Sequence, residues 1–385
     1  MLNYGKQKIT IQDKESVLKT LKSDFLTTGP KIQQFEKKLK KNFDSKYVLS
    51  CSNGTSALFL LCKALNINSN SEVFVPSITF VATASAAKLC GAKIILTDVC
   101  PDTGLMRKQD IEKALKKSTK NKKKFLFLVH LYGQTSNIEE IILFTKKKKI
   151  TLIDDACHAI GTKYYFKKKL YKIGCSRHFI ASTFSFHPVK NITTGEGGAI
   201  STNNVTLYRK MKLLRSHGIN RSNSPRGLWK YSIDEISLNH RLSDIHASLG
   251  ISQLNQLKSF YVYRSKIRKI YNRFFSQKLF KDYLKPVDYL KHCKPFWHIY
   301  ALKINFNKLK IDKEKLFYYA RKKNIGLQVH YIPLYRFKPF FQKKLANSEL
   351  FYNSVLSIPF HSNLTNKETQ KVMDFFKKVI IKYSI

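Results

Sequence analysis

From about residue 45 to residue 215 the chain alternates short apolar runs with segments of helical period, and that alternation restricts the fold more than any other feature. Residues 55–65 set Leu58, Leu61 and Leu65 on one helical face. Residues 72–75 read as a buried strand that stops at Pro76. A small-residue helix follows over 80–89, then strands over 93–97 and 125–129. Residues 137–148 read as a helix capped by Asn137, with Glu139 and Glu140 favourable at the positive end of its dipole. The strand over 149–153 then runs into Asp154 and Asp155. Strands joined through helices pair in parallel, so the expectation is an α/β fold with a mostly parallel central sheet flanked by helices. A ligand of such a sheet lies beyond the carboxyl ends of its strands.

The tail changes character. Residues 242–257 and 261–275 read as two successive helices. Beyond Pro286 come strand candidates at 299–304 and 325–329 and helix candidates at 313–323 and 366–380. The expected organisation is an N-terminal arm (1–24), a large domain (25–258) and a smaller C-terminal α+β domain (259–385).

Charge is the other conspicuous property: 70 Lys+Arg against 25 Asp+Glu give +45. Lysine supplies 58 of the cations and arginine 12, and the lysine runs at 122–124, 146–149 and 167–169 are scattered. Readers of nucleic acid lean on arginine, and no reader motif is present, so no nucleic-acid partner is expected. A basic surface does steer small anionic substrates. No apolar run approaches the ~20 residues of a membrane helix, and the first ten residues lack the apolar segment of a secretory leader. Seven cysteines without a C-x-x-C pair point to reduced thiols in the cytoplasm, with neither a disulfide frame nor a metal site.

Four segments carry candidate chemistry. In residues 182–198 an alternating strand is broken by Pro188, so Lys190 is held on a short loop before strand resumes at Ala199. Burial there would lower the lysine's pKa and make its amine nucleophilic toward an aldehyde. An arbitrary lysine is a solvated charge; the Ser, Phe, His and Pro before Lys190 and TTGEGG after it set this one apart. Asp154 and Asp155 end a strand and must point to opposite faces. One of them can face a ligand, where a carboxylate keeps a pyridine nitrogen protonated, and His158 lies within a turn. Residues 52–58 join a strand to a helix whose first N–H groups, at Thr55 and Ser56, suit a phosphate. Phe80 follows a strand and could stack on a flat ring, although an aromatic there also serves as core.

Together NGTSAL (53–58), PSITF (76–80), IDDACHA (153–159), FSFHPVKNITTGEGG (184–198), LRSHG (214–218) and LNHRLSD (238–244) resemble the DegT/DnrJ/EryC1/StrS sugar aminotransferases, a fold-type-I pyridoxal-phosphate group. The resemblance is dense from Phe25 to Gln256 and thinner beyond. It implies that Lys190 bonds the cofactor and shuttles the proton and that Asp155 faces the pyridinium nitrogen. It further implies His158 near the phenolic oxygen, Phe80 over the ring, and Thr55, Ser56 and Ser185 at the phosphate. Asn239 would reach the cofactor of a neighbouring subunit in a homodimer, with Arg241 beside it. The family usually carries Glu in place of Asp154, Gly in place of Ser237 and Tyr in place of His240. Residues 4–7, 21–30 and VHYIPLY (329–335) are similar to the branch that aminates C4 of a UDP-4-keto sugar in pseudaminic acid synthesis, with L-glutamate as donor. Tyr4, His330 and Tyr335 are then candidates for the sugar side. Another nucleotide 4-keto sugar, as in the perosamine branch, and an inactive cofactor-fold binding protein are the alternatives.

Overall fold

The computed structural model describes residues 1–221 and 229–385. Its centre is a seven-stranded sheet in the order Tyr47–Cys51, Gly198–Thr202, Ser182–Ser185, Thr151–Asp155, Lys123–Val129, Ser71–Pro76, Lys93–Thr97. Only Gly198–Thr202 runs against its neighbours; the other pairings are parallel. This is the α/β fold expected from the alternation.

Helices cover both faces, and the strands are accordingly apolar on both. Phe74, Leu126, Leu128 and Leu152 pack with Phe35, Phe43 and Phe184 on one side. Val73, Val75, Phe125, Phe127 and Ile153 pack with Leu58, Leu61 and Ala84 on the other. Successive residues thus enter different cores, which is the two-residue period of a strand. Phe43 stacks on Phe184 with ring centroids 4.1 Å apart.

Most elements fall where the pattern puts them: Gly54–Ala64, Ala82–Leu89, Tyr300–Ile304, Lys313–Lys322 and Asn366–Tyr383. Three expectations are corrected. Asn137 precedes the helix Ile138–Lys147 but its side chain does not cap it; the amide donates instead toward Glu140 Oε2, at 3.4 Å. The strand expected over 149–153 starts only at Thr151 and includes both aspartates. Lys149 is spent on the turn, at φ 53°. Residues 325–329 form no strand: isolated bridges join Leu2 to Ile325 and Gln328 to Ser357.

The C-terminal part builds an antiparallel sheet of Leu284–Pro286, Tyr300–Ile304 and Val355–Ile358. Its core includes Ile78, Val99, Leu131 and Tyr132 from loops above the central sheet. The C-terminal elements therefore close directly over the carboxyl ends of the strands. The N-terminal residues join them: Gly326 N–H donates to Leu2 O at 2.7 Å, and Phe360 N–H to Tyr4 O at 2.9 Å. The helix Ile11–Leu21, capped by Thr10 and Asp13, docks on Asp244–Asn255, where Gln253 Nε2 donates to Asp13 Oδ2 at 2.7 Å. Among the described residues no helix is long and apolar enough to cross a membrane, and all seven cysteines are free.

Candidate active site

A cavity of about 710 Å³ opens where five strand ends meet the C-terminal part. Its wall draws on Val129, Asp155 and Ser185 at strand ends and on residues just past Cys51, Pro76, Asp155 and Ser185, in keeping with the rule for parallel sheets. Tyr4, Thr55, Phe80, Asp155, His158, Ser185, Lys190 and His330 all line it.

Asp155 and Asp154 separate as alternation demands. Asp154 turns to the other face, where Ser182 Oγ donates to Oδ2 at 2.7 Å and His130 Nε2 lies against Oδ1. Asp155 faces the cavity and is held from two sides. Thr83 Oγ1 donates to Oδ2 at 2.7 Å, and the Cys157 N–H donates to Oδ1 at 3.2 Å. Lys190 reaches the same space from the loop between Ser182–Ser185 and Gly198–Thr202. Burial pushes its ammonium below the ordinary lysine value, against the pull of Cys157 and Asp155 nearby. Burial likewise raises the Cys157 thiol.

At the helix start Gly54–Ala64, Asn53 Oδ1 accepts from Ser56 N–H at 2.8 Å. That leaves the N–H groups of Gly54 and Thr55, which have no partner within the helix, beside Ser185. The approach is tight enough to need glycine: a Cβ on Gly54 would lie 2.8 Å from Ser185 Cβ, and one on Gly198 would lie 2.3 Å from Asn53 O. Opposite, His158 Nδ1 takes the Tyr132 N–H at 3.4 Å, and His158 Nε2 is 3.0 Å from Tyr331 Oη. Burial, with Lys190 and His330 nearby, holds His158 well below the ordinary imidazole value. His330 Nδ1 is 2.8 Å from Ser357 Oγ, and its ring is 5.0 Å from Tyr4. Phe80 stands 55 % exposed at the mouth.

Two expected residues lie elsewhere, and Asn239, expected at a neighbouring subunit's cofactor, lies outside this chain's own cavity. Ser56 has its N–H on Asn53 and its hydroxyl between Ser52 and His240 Nδ1, at 2.9 and 3.0 Å, so it does not line the cavity. Tyr335 is buried among apolar side chains and donates to Glu349 Oε1 at 2.8 Å, outside the cavity. Asn239 is exposed, bridged to Ser216, and its Oδ1 accepts from Arg241 N–H at 3.1 Å; neither residue lines the cavity. Sequence reasoning missed Thr83 and Tyr331. Thr83 sits among alanines in a helix read only as rich in small residues, and only the fold brings it to Asp155. Tyr331 had one available signal, its place between His330 and Ile332.

The sequence pattern of the DegT/DnrJ/EryC1/StrS aminotransferase family matches residues 7–377. The chain belongs to this family. Among its relatives is the UDP-4-amino-4,6-dideoxy-N-acetyl-beta-L-altrosamine transaminase of Campylobacter jejuni serotype O:2, 37% identical over 99% of this chain and 98% of that protein. An uncharacterized Methanocaldococcus jannaschii protein, MJ1066, is 35% identical over 94% of both chains. Among solved structures, Helicobacter pylori PseC, an aminotransferase involved in the biosynthesis of pseudoaminic acid, superposes with a TM-score of 0.88 at 29% identity, covering 99% of each chain.

Aminotransferases of this family work with pyridoxal phosphate, and the residues present suit that cofactor. The free N–H groups of Gly54 and Thr55, with Ser185 Oγ, make an anion cradle at a helix N-terminus. Asp155 offers a fixed carboxylate to a pyridine nitrogen, and Lys190, an amine with a lowered pKa, lines the same cavity.

Proposed function

We propose that this aminotransferase moves the amino group of L-glutamate to C4 of a UDP-4-keto-6-deoxy-N-acetylhexosamine, giving UDP-4-amino-4,6-dideoxy-N-acetyl-β-L-altrosamine. The observation that carries the reading is full-length similarity to transaminases named for that product, in Campylobacter at 37% and in Helicobacter pylori at 30% identity. The cavity supports it, since about 710 Å³ with an exposed mouth has room for a sugar beside a cofactor.

Pyridoxal phosphate, when bound, supplies the electron sink and carries the amino group between donor and acceptor. The roles proposed for the protein follow from its own geometry. With the cofactor bound, Lys190 Nζ, neutral more readily than a solvated lysine, would take the α-proton of the donor and hand it on within the same half-reaction, and would deliver a proton to C4 of the sugar in the other. Asp155, anchored by Thr83 and Cys157 N–H, would keep the pyridine nitrogen protonated. Gly54, Thr55 and Ser185 would hold the phosphate, Phe80 would lie over the ring and His158 near its phenolic oxygen. Tyr4 and His330, their ring centroids 5.0 Å apart and tilted by 60°, bound the side open to the sugar. Pairing with a second copy belongs to the same reading. Ile236 and Leu238, 87 % and 62 % exposed, lie next to Asn239 and would be covered by such a copy.

The test is spectroscopic. Purified protein is mixed with pyridoxal phosphate, and the visible spectrum is recorded before and after L-glutamate, then after the UDP-4-keto sugar. The expected result is a band that glutamate removes and the sugar restores, absent in Lys190→Ala. A band indifferent to glutamate refutes the donor, restoration only by another 4-keto sugar refutes the acceptor, and no band refutes the enzyme reading.

A further inference from the structure

The His158–Tyr331 contact has a direction. The Tyr132 N–H points at His158 Nδ1, 3.4 Å away, and a backbone N–H can only donate. Nδ1 must therefore present its lone pair. In a neutral imidazole the hydrogen then sits on Nε2. Nε2 lies 3.0 Å from Tyr331 Oη, so His158 donates and Tyr331 accepts. The opposite arrangement, with the phenol donating to a bare Nε2, would put a hydrogen on Nδ1 against the Tyr132 N–H. Neutrality is favoured because His158 is buried with Lys190 and His330 close by.

The consequence falls on Tyr331. A phenolic hydrogen lies in the ring plane on one of two sides, and His158 fills one of them. The hydrogen therefore points to the other. Among the described residues no other hydrogen bond reaches that hydroxyl, and Tyr331 lines the cavity. The nearby acceptors are engaged: Asp155 takes Thr83 and Cys157 N–H, and His330 Nδ1 is tied to Ser357. The mouth is narrowed by Phe80, whose ring centroid is 5.9 Å from that of Tyr331. An oriented O–H without a protein acceptor among the described residues, at the edge of the cavity, is a preorganised donor.

We propose that Tyr331 donates a hydrogen bond to the carbonyl oxygen of the amino-group acceptor, with His158 as the positioning residue that turns its proton toward that oxygen. The bond draws electron density away from the carbonyl carbon as the amine attacks it. Tyr331 keeps its proton throughout, so no additional reactant enters the step. The proposal rests on the keto-sugar reading for the identity of the acceptor, and on the Tyr132–His158–Tyr331 geometry for everything else.

Two measurements test it. In protein labelled with ¹⁵N-histidine, long-range ¹H–¹⁵N spectra at pH 7, assigned with His158→Gln, report the tautomer without cofactor or substrate. The expected pattern is a neutral ring with hydrogen on Nε2, whose nitrogen shift moves in Tyr331→Phe. A charged ring or an Nδ1–H tautomer overturns the proposal, whatever the variants do. In single-turnover kinetics, Tyr331→Phe carrying the amino form of the cofactor is mixed with the UDP-4-keto sugar. The rate is expected to fall on the order of 100-fold, as when one such donor is removed, with the sugar concentration for half-saturation little changed. An undiminished rate overturns the proposal, and so does a loss confined to half-saturation. Wild-type protein that ignores this sugar sinks the substrate reading instead, and the tautomer then decides for Tyr331. The tautomer also decides if Tyr331→Phe fails to take up the cofactor.

Discussion

Thr83 offers the sharpest perturbation of the site, because its only part in the proposed chemistry is to hold Asp155. Its hydroxyl donates to Asp155 Oδ2 at 2.7 Å in a buried setting, and its other recorded partner is the hydroxyl of Thr79, at 3.0 Å. Thr83→Val keeps the shape and deletes the donor. A hydrogen bond to a charged group contributes about 1.5–3 kcal/mol. Asp155 would retain the Cys157 N–H, at a longer 3.2 Å, and could swing about that single anchor. Were the whole contribution lost from cofactor binding, the dissociation constant would rise about 10- to 150-fold, at about 1.4 kcal/mol per tenfold. The assay is a titration with pyridoxal phosphate followed in the visible, on wild type, Thr83→Val and Thr83→Ser. Thr83→Ser restores the donor, and its affinity is expected within about threefold of wild type, given the few tenths of a kcal/mol typical of such conservative changes. A Thr83→Val protein that binds cofactor and turns over like wild type would refute the reasoning, as would a Thr83→Ser protein as impaired as the valine variant.

Other outcomes follow from the same structure. His330 and His361 are held by burial at about 3 and about 4, below the ordinary imidazole value. The unfolded chain therefore binds protons that the folded one refuses: the stability conferred is present above about pH 6.5 and is lost as pH falls toward 4, by up to about 1.4 kcal/mol per pH unit for each fully neutral histidine. Urea unfolding at pH 7, 6 and 5 should show this decline, less steep in His361→Gln; equal midpoints at all three values would contradict it. Gly198→Ala would set a Cβ 2.3 Å from Asn53 O, and is expected to weaken cofactor affinity at least tenfold while the far-ultraviolet circular dichroism stays unchanged. Phe43→Ala removes a ring stacked on Phe184 in the core, and is expected to cost about 3–5 kcal/mol in chemical denaturation without changing the affinity of the protein that remains folded.

What the sequence by itself determined was whatever local chemistry decides. The alternation of strand and helix over residues 45–215 forecast the sheet because apolar runs of period two and 3.6 need no distant partner to be recognised. The strand at 93–97 falls on its forecast residues, since Gly91 and the residues after Thr97 bound it on both sides. Lys190 stood out because Pro188 ends a strand in the chain itself. The opposed aspartates were legible too, as alternation along a strand is a covalent fact. Pairing and enclosure were not. Residues 325–329 have the apolar content of a strand, yet they meet only single bridges, because ladder partners come from elsewhere in the chain. Tyr335 and Tyr331 lie four residues apart in one motif. The first ends on Glu349 and the second on His158, a division that depends on which helices and loops close over the segment. Ser56 looked as available to a phosphate as Thr55, until Asn53 took its N–H and His240 its hydroxyl. Tertiary structure alone decided which polar side chains spend their hydrogen bonds on the protein and which keep them for a ligand, because each such bond joins residues that only the fold brings within 3 Å of one another.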